Sequence, residues 1–270
     1  MTAAHSGFYK ALEATVERIH KIFPDYELII YDLGLEPLQL KKVINSCKCQ
    51  VRKYDPDQKY ANKSNHTRIL KTYAWKPLII QEVFNSHQTI LYVDSSIYFK
   101  TNEMKQTFDT AKTIGFSSQI LSHLLNQYTN LKMFEWFKED PKDYEKISFL
   151  EANALIFDRC FITSLMMKSW VTCALDEECI APKGHRLMNC PGCHRYDQSA
   201  LTTISSYFYG HPKEKKKFSV PYAFLDHGFY SIRRGQSMPK DQVYFKDFED
   251  IQSDGFIDNY IHKPLKNILS

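Results

Sequence analysis

The carboxylates best placed to do chemistry each sit beside an apolar run. Asp94 ends Thr89-Ile90-Leu91-Tyr92-Val93, and Asp197 stands just before the helical pattern Gln198 to Phe208. In an open parallel sheet, ligands bind beyond the carboxyl ends of the strands, where helix N-termini and loop amides converge. A carboxylate there can hold a divalent cation, which can bridge two phosphates and stabilise a departing diphosphate. Asp197 is suited to act as a general base toward a hydroxyl. The plainer role of each is to cap the turn or helix that follows. Glu151 and Asn153, two apart on a strand, point to one face and can hydrogen-bond a polyhydroxylated ligand. A wet strand face is the alternative.

Seven cysteines form local pairs, Cys47/Cys49, Cys173/Cys179 and Cys190/Cys193, with Cys160 alone. A disulfide framework is expected, with Cys173 to Cys179 closing a short loop and Cys190 or Cys193 reaching Cys160. Cys190-Pro191-Gly192-Cys193-His194 also matches a c-type haem attachment pattern and, with His185, suggests a zinc site. Haem suits neither the position deep in the chain nor the lack of a marked axial partner, and zinc needs further spaced ligands. A thiol-rich metal-binding module over Cys160 to His194 is nonetheless one functional reading. His227 and His262, in an aromatic tail, are candidate third ligands beside carboxylates at a manganese-like ion.

The elements that must position these residues alternate. Phe8, Leu12, Val16, Ile19 and Phe23 recur at helical spacing and stop at Pro24-Asp25. Glu27 to Tyr31 reads as a strand closed by Asp32-Leu33-Gly34, Pro37 to Ile44 as a helix, and Gln50 to Tyr54 as a strand. Tyr73 to Phe84 reads as a buried helix leading to the strand Thr89 to Val93. Strands alternating with crossover helices specify a parallel, doubly wound sheet. Met1 to Ser6 would be the tail of a first strand and its loop. Further on, the pattern predicts a strand at Thr113 to Phe116, helices at Gln119 to Gln127 and Asn130 to Phe137, and a strand at Asn153 to Phe157. A helix from Arg159 to Leu175 and another from Gln198 to Phe208 follow, then short aromatic strands after Phe218.

The chain has 270 residues, 43% hydrophobic and 24% charged, the composition of an ordinary globular protein. At this length folding buries roughly 75% of the unfolded surface, so neither disulfide nor metal is required to fold. Net charge is +4, and the one basic run, Lys213 to Lys217 with Glu214 inside it, is a solvated loop, so nucleic acid is not an expected partner. No apolar stretch approaches about 20 residues and Phe8 to Phe23 is amphipathic, so a membrane would be met only through an anchor outside the chain. Two sequons, Asn62-Lys63-Ser64 and Asn65-His66-Thr67, join the cysteines in pointing to a lumenal protein of the Golgi or endoplasmic reticulum.

Three segments carry a family resemblance. Tyr73-Ala74-Trp75-Lys76-Pro77 followed by Ile90-Leu91-Tyr92-Val93-Asp94-Ser95-Ser96 resembles the helix and Asp-X-Asp strand end of GT-A-fold glycosyltransferases. Glu151-Ala152-Asn153-Ala154-Leu155-Ile156-Phe157 is similar to their acceptor-side strand, and His194 to Leu201 to their late acidic motif opening a helix. The ordering, across nearly the whole chain, resembles an animal group of poorly characterised glycosyltransferase-like proteins.

The resemblance implies one GT-A-like α/β domain, 1–270, with a doubly wound, mainly parallel sheet, a nucleotide-sugar half (1–100) and an irregular acceptor half (101–270). It implies that Thr2, Ala3, Ala4, Tyr31 and Asp32 border the nucleotide and that Asp94 and Ser96 meet metal or diphosphate. Asp197 then faces the reacting sugar, with Gln198 beside it. His262-Lys263-Pro264 resembles the C-terminal metal-ligand segment, which makes Asp94 and His262 the ligands of Mn2+ or Mg2+. Position 96 is serine where the signature has a second aspartate, so Lys76 or Arg68 is a candidate to neutralise phosphate instead. The implied function is transfer of a sugar from a nucleotide-diphosphate donor, expected to be a UDP-sugar, to a glycan or glycoprotein. A catalytically silent sugar-nucleotide or glycan-binding protein is the alternative.

Overall fold

A computed structural model describes residues 1–62, 65–184, 193–210, 229–232 and 244–245. Strand Thr2–Ala4 (β1) passes through a 3-10 turn into helix Tyr9–Ile22 (α1), strand Ile29–Asp32 (β2), helix Pro37–Ser46 (α2) and strand Gln50–Lys53 (β3). A short helix, Pro56–Tyr60 (α3), and 3-10 turns at Asn65–Arg68 and Leu70–Thr72 precede helix Trp75–Phe84 (α4) and strand Thr89–Val93 (β4). There follow strand Ile97–Phe99 (β5), helix Lys105–Ile114 (α5), strand Phe116–Leu124 (β6), helix Leu131–Phe137 (α6) and strand Ser148–Asp158 (β7). Helices Phe161–Ala174 (α7), Glu177–Ile180 (α8) and Tyr196–Tyr209 (α9), and strand Tyr230–Ile232 (β8), complete the described elements.

β1, β2 and β3 pair in parallel, whereas β7 pairs antiparallel with both β4 and β6. The Met1 nitrogen donates to Leu91 O at 2.7 Å and Val93 N donates to Met1 O at 3.0 Å, so the chain leading into β1 runs parallel to β4 and joins the two sets. The layer therefore reads β3-β2-β1-β4-β7-β6, mainly parallel, with an antiparallel return through β7. The winding direction reverses between β1 and β4, which makes that crevice the place for a ligand.

Burial explains the elements. α1 turns Leu12, Val16 and Ile19 inward, and Thr15 Oγ1 lies 2.7 Å from Ser95 O and 2.8 Å from Ile97 O, tying the helix to the segment after β4. Pro37 opens α2 where its missing N–H costs nothing, and Gln39 Oε1 accepts from Glu36 N at 3.1 Å. α4 is apolar on nearly all sides and is correspondingly enclosed, with Leu78, Ile79 and Ile80 fully buried.

The second half departs from the sequence expectation. Gln119 to Gln127 is not a helix: Phe116–Leu124 is a strand, and only Leu125–Gln127 turns as a 3-10 segment. Ile120, Leu121, Leu124 and Leu125 carry helical spacing, but pairing with β7 and burial of Phe116 to Gln119 decide the conformation. Thr113 and Ile114 end α5 rather than begin a strand. The break is Gly115 at φ 92°, where a Cβ would come within 2.7 Å of the Cys160 sulfur. β7 is also longer than Asn153 to Phe157, starting at Ser148. Of the aromatic tail expected to form strands, only Tyr230–Ile232 lies among the described residues as a strand.

Candidate functional site

Lys76 is the centre of the site. It projects from the first turn of α4, is 3% exposed, and places its ammonium 3.1 Å from Asp94 Oδ1, 3.1 Å from Asp197 Oδ2 and 3.0 Å from Ala152 O. Those contacts join the end of β4, the first turn of α9 and the middle of β7. An ammonium has three protons, and three oxygens now surround it. The Tyr73, Trp75 and Tyr92 rings enclose it at 5.5, 5.8 and 5.3 Å. Tyr73 reaches this position from a left-handed backbone, φ 55°, a conformation that costs energy for a bulky residue and marks a constrained site.

The electrostatics follow from that burial. Loss of hydration alone would pull the Lys76 ammonium down, but Asp197 and Asp94 outweigh it and leave its pKa raised. Unit charges about 4 Å apart attract by about 4 kcal/mol at an effective dielectric near 20. Asp197 is also fully enclosed, and burial raises its pKa although Lys76 opposes the shift. Tyr92 donates to Asp94 Oδ1 at 2.6 Å, and burial, reinforced by Asp94, raises its phenol. Asp94 thus has one oxygen committed, while Oδ2 has no hydrogen bond or ion pair among the described residues.

Beside this junction opens a cavity of about 380 Å³, lined among others by Asp94, Glu151, Asn153, Asp197 and Gln198. Its volume is in the range of small-molecule sites. Tyr230, on β8, is wholly buried behind it, with its hydroxyl 2.7 Å from Gln119 Oε1, 3.0 Å from Glu151 Oε2 and 3.4 Å from Asn153 Oδ1. A phenol donates one proton at a time, and the carboxylate is the strongest acceptor of the three. Burial, then Glu151, raises the Tyr230 pKa, so the phenol stays a donor. Gln198 Nε2 donates to Leu150 O at 2.6 Å, fixing α9 against β7. A larger cavity of about 710 Å³ lies at the amino-terminal ends of β2 and β4, among Phe23, Tyr26 and Phe108. It is lined by none of the candidate residues.

The structure brings Lys76, Asp94, Glu151, Asn153, Asp197 and Gln198 to one cavity. Asp197 is inside α9, whose N-cap is Arg195, so the helix-capping alternative is corrected. Thr2, Ala3, Ala4 and Tyr31 are buried in the sheet and do not line the cavity. The Tyr31 hydroxyl donates to Glu82 at 2.7 Å, and Asp32 Oδ1 accepts from Gly34 N at 2.8 Å and Leu35 N at 2.7 Å, which shapes the turn after β2. Arg68 is held by Asp57 and Asn65, away from the cavity lining. His262, His227, His185, Cys190 and the Lys213 to Lys217 run lie outside the described residues. Tyr230, Gln119 and Tyr92 are not among the residues expected from sequence; Tyr92 and Tyr230 belong to short aromatic runs of strand type, whereas Gln119 opens a segment whose spacing predicts a helix.

Ser96 does not line the cavity, and a divalent cation at the end of β4 would meet Asp94 Oδ2. It would also meet the charge of Lys76, 3.1 Å from the same carboxylate. Among the described residues no group of three or more His, Cys, Asp or Glu is arranged to hold a metal ion. His262, the other expected ligand, lies outside the described residues, and Asp94 alone does not complete a Mn2+ or Mg2+ site.

The cysteine expectations divide. Cys47–Cys49 and Cys173–Cys179 are disulfides. Cys160 is a free thiol and Cys193 is disulfide-bonded, so Cys193 does not reach Cys160. Cys160 instead contributes its backbone to the N-cap of α7, where Thr163 Oγ1 accepts from Cys160 N at 2.9 Å. His194 is buried with Nδ1 accepting from Asn130 N at 3.2 Å and Nε2 3.0 Å from Ile180 O. Both ring nitrogens are engaged and the neighbouring thiol is oxidised, which removes the haem and zinc roles proposed for this motif.

Strand order, the antiparallel return and the position of the crevice define a mixed α/β fold of the GT-A glycosyltransferase type. The WbbM bifunctional glycosyltransferase in its apo form aligns with 84% of this chain at 11% identity and a TM-score of 0.50, the chain spanning 38% of WbbM. Core-mannan synthase A (CmsA/Ktr4) from Aspergillus fumigatus, solved in a Mn/GDP form, aligns over 75% of this chain and 68% of its own at 10% identity, with a TM-score of 0.49. An active-site mutant of LgtC aligns over 74% and 67% at 15% identity, with a TM-score of 0.48. A family model described as a protein of unknown function (DUF1647) matches residues 1–81. No curated protein matches the sequence.

Proposed function

We propose that this chain transfers a sugar from a nucleotide-diphosphate donor, a UDP-sugar in the first instance, to a hydroxyl of a glycan or glycoprotein. The observation that carries the reading is the Lys76 junction, which aligns Asp94 at the switch point of the sheet with Asp197 on the cavity wall. The nucleotide then lies beyond β1 and β2, bordered by the main chain near Ala4 and Asp32. Glu151, Asn153 and Gln198 orient the acceptor. Asp197 takes the proton of the attacking hydroxyl, and burial, which raises its pKa, makes it a stronger base than an exposed carboxylate. The remaining catalysis is positioning and electrostatic stabilisation of the leaving diphosphate. One apolar cluster contains Ala3 and Tyr31 as well as Leu155 and Trp170, which supports a single domain with a donor half, 1–100, and an acceptor half, 101–270.

A silent sugar-nucleotide binder is the second reading, favoured by Ser96 in the second acidic position and by the Lys76 ammonium being already paired with Asp94 and Asp197. The disulfides favour the Golgi or endoplasmic reticulum lumen for either, and no helix among the described residues is long and apolar enough to cross a membrane. Thermal-shift screening with nucleotide-sugars, with and without Mn2+, tests binding, because a ligand of the native state alone raises its stability. Release of nucleoside diphosphate by the wild type and its loss in Asp94→Ala separates enzyme from binder. A flat screen across the donor panel sinks both.

A further inference from the structure

The sequon Asn65-His66-Thr67 lies wholly within the described residues and forms the 3-10 turn before Ile69. Two of its residues turn inward. His66 Nε2 is 2.8 Å from Ala174 O, and the Thr67 carbonyl accepts from the Tyr54 hydroxyl at 2.8 Å. His66 and Thr67 are 1% and 0% exposed, whereas Asn65 faces solvent. Arg68 Nη1 donates to the Asn65 side-chain oxygen at 3.1 Å, and Arg68 is itself braced by Asp57 at 2.6 Å. Arginine only donates, so the oxygen must face it and Nδ2 must face away. Nδ2 has no partner among the described residues.

We propose that Asn65 is an N-glycosylation site. The disulfides Cys47–Cys49 and Cys173–Cys179, together with the oxidised Cys193, belong to an oxidising compartment, where the glycan donor is also found. The donor class is an oligosaccharide linked through C1 to a polyprenyl diphosphate. Nδ2 forms a bond to that carbon as the C1–oxygen bond to the diphosphate breaks; Nδ2 loses one proton and the polyprenyl diphosphate leaves with the bonding electrons. The transfer precedes folding, since His66 and Thr67 are afterwards buried, and the finished turn leaves the modified nitrogen in solvent. Asn62 is exposed as well, but Lys63 and Ser64 of its sequon lie outside the described residues.

The test is glycosidase release in heavy-oxygen water on the protein purified from its own source, followed by peptide mass spectrometry. Heavy-isotope aspartate at position 65 is expected. Recovery of that peptide only with unmodified asparagine overturns the assignment, whatever is found at Asn62. In secretory expression, Asn65→Gln should lose one glycan step of mass against the wild type at equal yield, with Asn62→Gln run beside it. An Asn65→Gln protein of wild-type glycan mass also overturns the proposal.

Discussion

The parallel strands and the antiparallel pair are held by different means. β1, β2 and β4 are short and apolar, with Ile30, Tyr92 and Val93 almost completely buried, and their order follows from crossover helices packing on both faces. β6 and β7 carry Ser117, Ser118, Gln119, Glu151 and Asn153, and side-chain hydrogen bonds hold them in place. Ser118 Oγ donates to Glu151 O at 2.6 Å, and Thr202 Oγ1 accepts from Leu150 N at 3.1 Å. Burial tolerates imprecision of direction, whereas a hydrogen bond does not. One half is thus a frame and the other a fitting of polar groups, and Lys76 is the bolt between them.

The largest break should come from removing that bolt. Lys76→Met leaves two carboxylates without their counter-charge and is expected to cost about 3–5 kcal/mol, read as denaturant unfolding free energy. The pH dependence has a defined sign. Asp197 has a raised folded-state pKa, so its contribution is present at low pH and fades as pH rises through that value. Lys76, also raised, contributes at all pH values below its ordinary range and is lost only on passing its folded value. Acidification from pH 8 toward 5 should therefore recover more stability in Lys76→Met than in the wild type. Equal slopes would show that the junction is not electrostatic.

Asp197→Asn comes next. Burial already disfavours charge there, and the Trp170 bond is to the Asp197 carbonyl, which the variant keeps. Folding should survive while nucleoside diphosphate release with acceptor present falls by about 100- to 10,000-fold, the ordinary value of a general base. Unchanged turnover would reduce Asp197 to a partner of Lys76. Tyr230→Phe is expected to do less, losing about 1 kcal/mol of stability and about tenfold in turnover. Combined with Glu151→Gln, its effect should fall short of the sum, since both act on one hydrogen bond. Strict additivity would separate β8 from the Glu151 side of the cavity.

The same contrast decides what could be read in advance. Asp94 was legible because an apolar run of strand length must end somewhere, and Glu151 and Asn153 because alternation puts them on one face. The parallel order of the first half followed from alternating elements. The antiparallel return did not, since nothing local in Asn153 to Phe157 records strand direction. β6 was misread because its leucines and isoleucine fall at helical spacing while its polar residues, buried against β7, give no hydrophobic signal. Tyr230 meets Glu151 across 79 positions of sequence and Lys76 meets Ala152 across 76, contacts that only the folded chain creates. The Cys160 pairing failed for the same reason: spacing suggested a bridge that the fold does not form.

The smallest effects should still distinguish the halves. Asp55 caps α3 by accepting from Gln58 N at 3.0 Å, and Asn130 caps α6 by accepting from Lys132 N at 2.9 Å. The two caps obey the same physics, so Asp55→Ala and Asn130→Ala should each lower stability by about 1 kcal/mol. Their surroundings differ. The Asn130 backbone also donates to His194, which lines the cavity, so loosening the start of α6 reaches the cavity wall. Among the described residues, Asp55 bonds only within its own turn and pairs with Lys53 at 3.9 Å. Matched thermal unfolding with a rise in acceptor KM confined to Asn130→Ala is the expected pair of results. A KM shift in both variants, or in neither, would mean that polar fitting is not peculiar to the second half.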